Sequence, residues 1–403
     1  MIKKKFVVIS ILMGLSLVFF GCNKTEVKKN DKKATIISVN PKDIKLSNNA
    51  FSLKLMKGLL KQEQGKNIFV SPLSVSSILA ETENGAVGPA KDELHSVLAS
   101  ESNDTNSEYK KLMDYYSSLK TTSISLANSM WIKNNFQVNK AFISTSKQYY
   151  YSEINNVDFL NSSTQNKINK WISDNTKEKI TKLDMTLDEE TRLLLINTVY
   201  FKGQWLNDFN KALTYKDNFY LTGGKQLSVD MMRNRANFPY YENNDFQVVS
   251  LPYKDNFSMY VFLPKQGKNL NDFVKELDAS KIDGYINNLK TEEVNIALPK
   301  FKLQYEIRLN ETLQAMGINK IFNSSGLSGI AKDISISTIV HKSYLSVDEA
   351  GTEAAAVTSE LLSGTSAPSK VQKQFIVNRP FFMAIRDNST GLVLFMGKIE
   401  SPQ

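Results

Sequence analysis

The chain has one cysteine and two histidines among 403 residues, and this scarcity removes whole classes of chemistry. Cys22 cannot form an internal disulfide, and with only His95 and His341 beside it a zinc cluster or a Cys–His dyad lacks ligands. Glycine and proline, at 18 and 10, are too few for a low-complexity polymer. No Pro/Gly/Ser-rich linker interrupts the interior and no internal repeat recurs, so the length reads as one large globular domain. Catalytic motifs are missing as well. Gly223-Gly224-Lys225 has no upstream glycine at Walker spacing and reads as a hairpin turn. Gly326-Leu327-Ser328-Gly329 falls short of a nucleophile elbow. No catalytic residue, metal site or cofactor is expected.

The positive charge is not spread as in a nucleic-acid binder. Residues 1 to 33 hold eight Lys against Glu26 and Asp31 and so carry most of the net +9. The remaining basic residues read as a solvated face, and nucleic acid is not an expected partner. Lys3, Lys4 and Lys5 precede an apolar run from Phe6 to Phe20, shorter than the roughly 20 residues a membrane span needs. This is the pattern of a signal peptide over 1–21. Gly21-Cys22 resembles the lipobox of bacterial lipoproteins, in which the Cys is acylated, although Phe19 stands where that motif has Leu. Residues 22–42 then form a polar tether, and the expected location is the extracellular face of the cell membrane, lipid-anchored through Cys22. A plain secretory signal is the alternative.

What is present is a run of helical patterns followed by strands. Phe51, Leu55 and Leu59, four apart with Met56 and Leu60 beside them, predict a packed helix. Asn67 to Val70 is a short strand ended by Ser71-Pro72, with Ser71 or Ser74 to cap the next helix. Leu193 to Phe201 is almost continuously apolar, as a strand buried on both faces requires, with Asn197 its lone amide. Phe246 to Leu251 with Phe257 to Leu263, and Phe381 to Arg386 with Leu392 to Ile399, read as hairpins. The fold class is α+β. Gly351 to Pro368 fits neither template, and a loop of this length inside a domain is usually functional or disordered.

Asn67 to Ser77 (NIFVSPLSVSS) with Gly85-Ala86, Asn197 to Trp205 (NTVYFKGQW), Leu298 to Phe301 (LPKF), Val340 to Thr358 (VHKSYLSVDEAGTEAAAVT), and Asn378 to Phe381 (NRPF) with Phe395-Met396-Gly397 stand in the order and approximate spacing of the serpins. Over residues 44 to 400 the chain resembles that family of serine protease inhibitors, most specifically in EAGTEAAAVT. The resemblance implies a serpin domain over 43–403 with about nine helices and three β-sheets, and an exposed reactive-centre loop over about 350–374. It implies a suicide substrate. A serine protease, or a papain-like cysteine protease, attacks the loop and forms an acyl ester, and the loop then inserts into the central sheet and carries the protease with it. The family's hinge maps onto Glu349, Gly351, Thr352, Glu353, Ala354, Ala355, Ala356, Val357 and Thr358. Its shutter maps onto Ser71, Ser74, Asn197 and His341, and its breach onto Trp205, Lys300 and Glu349, the last two resembling the family's salt bridge. A buried Asn and His need partners and can satisfy one another across the strands that must part.

In an inserted strand Thr352, Ala354, Ala356 and Thr358 would face the core while Glu353, Ala355 and Val357 face out. Eleven residues from Thr352 to Leu362 span about 36 Å, enough to carry a tethered protease to the far end of a sheet. Glu360 falls in the inward phase, where an unpaired carboxylate costs several kcal/mol. Thr82-Glu83-Asn84 puts polar residues where the family has an apolar helix end, which predicts looser packing there. The family's register places the reactive bond at Thr365-Ser366, within two residues, with a second cleavage near Leu362 as an alternative. A small β-branched Thr suits the shallow primary pocket of elastase-like or subtilisin-like proteases. The expected protein is a monomer, and its rival reading is a non-inhibitory serpin acting as a carrier.

Overall fold

The computed structural model describes residues 42–100, 102, 104–352 and 373–403. The chain opens with α1 (Lys42–Gln62), β1 (Ile68–Val70), α2 (Pro72–Glu83), α3 (Pro89–Leu98) and α4 (Thr105–Ser117). β2 (Ser123–Lys133), α5 (Lys140–Tyr150), β3 (Glu153–Val157), α6 (Ser162–Asn175) and β4 (Leu193–Gln204) follow. The second half runs through β5 (Tyr215–Tyr220), β6 (Gln226–Glu242), β7 (Phe246–Pro252), β8 (Phe257–Pro264), α7 (Leu270–Glu276) and α8 (Ala279–Asn287). It ends with β9 (Lys290–Pro299), β10 (Phe301–Arg308), α9 (Asn310–Ala315), β11 (Thr338–Asp348), β12 (Gly351–Thr352), β13 (Lys373–Ile376), β14 (Phe381–Asp387) and β15 (Val393–Ile399). The α+β class and nine helices among the described residues match the expectation.

Among the described residues hydrogen bonding gathers the strands into two sheets where the resemblance implied about three. One has the order β10-β11-β12-β4-β2-β3. The other joins nine strands, because the 17-residue β6 pairs with β9 along most of its length and with β7 at its end, fusing two smaller sheets.

The central strands β4 and β11 are buried on both faces, which is why β4 is almost continuously apolar from Leu193 to Phe201. Leu195, Val199 and Phe201 join the main core with α1, α2 and the nine-stranded sheet. Leu194, Ile196 and Tyr200 face the other way, onto Ile168, Trp171 and Ile172 of α6. α2 is buried from Pro72 to Thr82, so it packs beneath the sheet on all sides. Its start is defined locally: Ser71 is the cap, its hydroxyl accepting from Ser74 N at 3.3 Å, and Pro72 occupies the first turn. The two expected hairpins form. Asp255 and Asn256 take left-handed φ of 58° and 63° between β7 and β8, and Gly391 takes 75° before β15.

Candidate functional site

β4 and β11 are parallel neighbours from Leu194 opposite Thr338 to Tyr200 opposite Tyr344. Beyond Tyr200 they diverge, and β12 fills the wedge, pairing Gly351 with Gln204 and Asp348, and Thr352 with Gly203 and Val347. The start of the segment assigned to the hinge is therefore already a strand between β4 and β11. Thr352 is fully buried, its side chain inward as the phase argument requires, and its Oγ1 lies 2.7 Å from the Tyr253 hydroxyl. Glycine is obligatory beside it, because Gly351 has φ +145° and a Cβ would stand 2.1 Å from Gly203 O.

The residues assigned to the breach surround this wedge. Trp205 stacks on Tyr253 with centroids 4.3 Å apart and meets Phe209 edge-on. Its indole donates to Asp348 O at 2.9 Å, its backbone N–H to Ala350 O at 3.1 Å, and Phe209 N–H donates to Glu349 O at 2.8 Å. These bonds fasten the turn before Gly351 to the end of β4. Lys300 Nζ lies 2.9 Å from Glu349 Oε2, whose side chain is 5% exposed. Burial pushes the Glu349 carboxyl up, but the Lys300 ammonium together with further hydrogen-bond donors holds it below the usual range.

Farther down the same seam, Ser71, Ser74, Asn197 and His341 come together. Ser71 N–H donates to His341 Nε2 at 3.2 Å, which leaves the imidazole proton on Nδ1, 2.7 Å from Asn197 Oδ1. The Asn197 amide donates to Ser74 Oγ (2.7 Å), Ser74 O (3.1 Å) and Asn128 Oδ1 (2.7 Å). Burial pushes the His341 imidazole down to about 3, so it is neutral at physiological pH. Asn197→Ala strands the His341 N–H and Asn128 Oδ1, a loss of about 1 to 3 kcal/mol. The variant is expected to melt lower than the parent and to polymerise on mild heating, followed by size exclusion; a variant that stays monomeric would remove this pair as the lock on the seam.

Three participants escaped the sequence reading: Asn128, Tyr253 and Glu81, the last fully buried on α2. The expectation of loose packing at Thr82-Glu83-Asn84 is not met, because each residue has a partner: Thr82 Oγ1 donates to Ile78 O, Glu83 pairs with His95, and Asn84 exchanges hydrogen bonds with Asn106. Glu353 to Thr358, Glu360, Leu362, Thr365, Ser366 and Cys22 lie outside the described residues.

A two-residue strand thus sits between β4 and β11 at one end of the seam, with a buried polar network farther along it. The family model described as Serpin (serine protease inhibitor) matches residues 46–402, and the chain belongs to that family. It is 33% identical to an uncharacterised serpin-like protein of Methanosarcina acetivorans, over 100% of this chain and 99% of that one. Among solved structures it is similar to tengpin, a thermophilic serpin in its native state, with TM-score 0.82 and 32% identity, covering 88% of this chain and 93% of that one. It is also similar to thyroxine-binding globulin in complex with thyroxine, with TM-score 0.80 and 25% identity, covering 89% and 99%. Membership supports a protease-inhibitor role in general and a binding partner that is a protease; serpins as a family are inhibitors rather than catalysts.

Proposed function

We propose that this chain is an irreversible inhibitor of extracellular serine proteases, and of papain-like cysteine proteases where their pockets fit, that traps the acyl-enzyme by inserting its cleaved loop between β4 and β11. The observation that carries the reading is the seated start of the hinge: Gly351 and Thr352 already pair with both strands. A nucleophile attacks the carbonyl of Thr365, the bond to Ser366 N breaks, and the acyl ester stays on Thr365 while the strand zips in. Carried about 36 Å to the far end of the sheet, the protease loses its oxyanion-hole geometry, and each lost donor slows deacylation by about two to three orders of magnitude.

Incubation with elastase-like, subtilisin-like and trypsin-like proteases tests this. A denaturant-resistant adduct with the first two, releasing a C-terminal fragment that begins at Ser366, is the expected result. A fragment beginning at Val371, with trypsin the best target, would overturn the assignment, since Lys370 precedes that bond. The likeness to thyroxine-binding globulin favours a second reading, a carrier without inhibitory activity, which absence of any adduct across the panel would support. The protein acts, in this proposal, as a monomer at the outer face of the membrane on a lipid at Cys22. Cys22→Ser should then move it from the membrane fraction into the medium, and unchanged fractionation would favour a plain signal peptide.

A further inference from the structure

Glu81 sits at the inner end of the polar network and has no part in the reading so far. It lies on α2, fully buried. Oε2 accepts from the Asn128 amide at 3.2 Å, and that amide also donates to Ser77 Oγ at 3.2 Å. Oε1 has no partner, nor does the neighbouring Ser146 Oγ of α5. Among the described residues no Lys or Arg pairs with the carboxylate. Desolvation pushes its titration up to about 7, which the Ser152, Ser146 and Asn128 side chains only partly offset.

A proton resolves this arrangement. The Ser146 hydroxyl can meet Oε1 in either state, but only the protonated acid leaves the buried group neutral. Ionised, the carboxylate stays buried with only the neutral dipoles of Ser152, Ser146 and Asn128 and no cation, a state that water relieves once the sheet parts from α2. The connection to the seam is direct: Asn128 of β2 accepts from Asn197 of β4, which accepts from His341 of β11. We propose that Glu81 is a proton-operated latch on the six-stranded sheet, holding β2, β4 and β11 closed while protonated and loosening them when it ionises.

The other titratable groups around it do not supply the effect. Tyr150 of α5 and Tyr109 of α4 are buried phenols held far above neutral pH. Glu83 faces away to His95 of α3. α1 presents Asn48 to α2 through Ser76, and the β15 residues beside it are apolar apart from Lys398, which pairs with Glu400. His341 is neutral when closed and gains a proton on opening below about pH 6.5, a term that any Glu81 variant shares with the parent.

The latch rests on β4 and β11 being the opening seam but not on protease inhibition, so it is tested on the intact protein without a protease. Hydrogen exchange of the amides of Leu193–Gln204 and Thr338–Asp348 is measured from pH 6 to pH 8, with β8 as internal reference. Glu81→Gln keeps the shape without the charge, and Glu81→Met is a second non-titrating variant should Gln fold poorly. The parent's exchange relative to either variant is expected to rise by up to about tenfold between pH 6 and 8 at the seam, with β8 unchanged. Parallel pH profiles for parent and variants, or an equal change in β8, would overturn it.

Discussion

Cleaving the loop within Gly364 to Ala367 is expected to raise the melting temperature by about 10 to 20 °C. The register of β12 says what the freed strand would meet. Thr352 lies opposite Gly203 and Val347, and antiparallel continuation puts Ala354 between Phe201 and Leu345, Ala356 between Val199 and Ser343, and Thr358 between Asn197 and His341. The last two already face each other across the seam, so the two edges agree on one register. Ala354 would enter where the flanking side chains are large, and the Thr358 hydroxyl would arrive where the hydrogen bond between Asn197 and His341 must be replaced. About ten new backbone hydrogen bonds at about 1 kcal/mol each supply the gain. Spread over the unfolding entropy of some 360 residues, this gives the stated shift. Glu360 works against it: the same register sets it between Leu195 and Ile339, both fully buried. Glu360→Ala is therefore expected to raise the melting point of the nicked form further. Calorimetry of intact and nicked protein decides the matter, and equal melting temperatures would remove the insertion mechanism.

Legibility in the sequence followed the length and periodicity of each segment. β4 was readable because burial on both faces leaves an almost continuous apolar run, and α1 because Phe51, Leu55 and Leu59 recur four apart. α7, α8 and α9, at six to nine residues, are too short for the helical period to separate from chance. Asn197 and His341 were legible through the family's motifs. Asn128 was not, because in Ser123–Lys133 an amide among serines reads as the polar phase of a half-exposed strand, whereas here it is the bridge between Asn197 and Glu81. Glu81 was hidden by the same rule: a carboxylate on a helix is assigned to the solvent face, and only the three-dimensional enclosure of α2 by β2, β4 and α5 denies it one. Tyr253 belongs to the β7–β8 turn, and nothing in its own segment announces that it meets Thr352.

Thr352→Arg should convert the inhibitor into an ordinary substrate. The position leads the strand into the sheet, and its side chain is enclosed by Tyr253, itself stacked on Trp205. A guanidinium there replaces a satisfied hydroxyl by a charge for which Tyr253 offers only a phenolic oxygen, and burying an unpaired charge costs about 3 to 5 kcal/mol. Thr352 is already enclosed in the intact protein, so the charge first unseats β12 into solvent, and the penalty is met when insertion must bury it again; cleavage at the proposed bond, 13 residues away, is spared. Trapping is a race between insertion and deacylation, so slowing one by about two to three orders of magnitude while sparing the other leaves almost no trapped enzyme. The expected result is full cleavage of the loop, recovery of protease activity and loss of the denaturant-resistant band. Thr352→Ser retains the bond to Tyr253 and should inhibit like the parent, while Thr352→Val keeps the shape without the bond and should fall between. If Thr352→Arg gives the parent's yield of adduct, Thr352 does not lead the strand into the sheet, and the seated β12 is not the start of insertion.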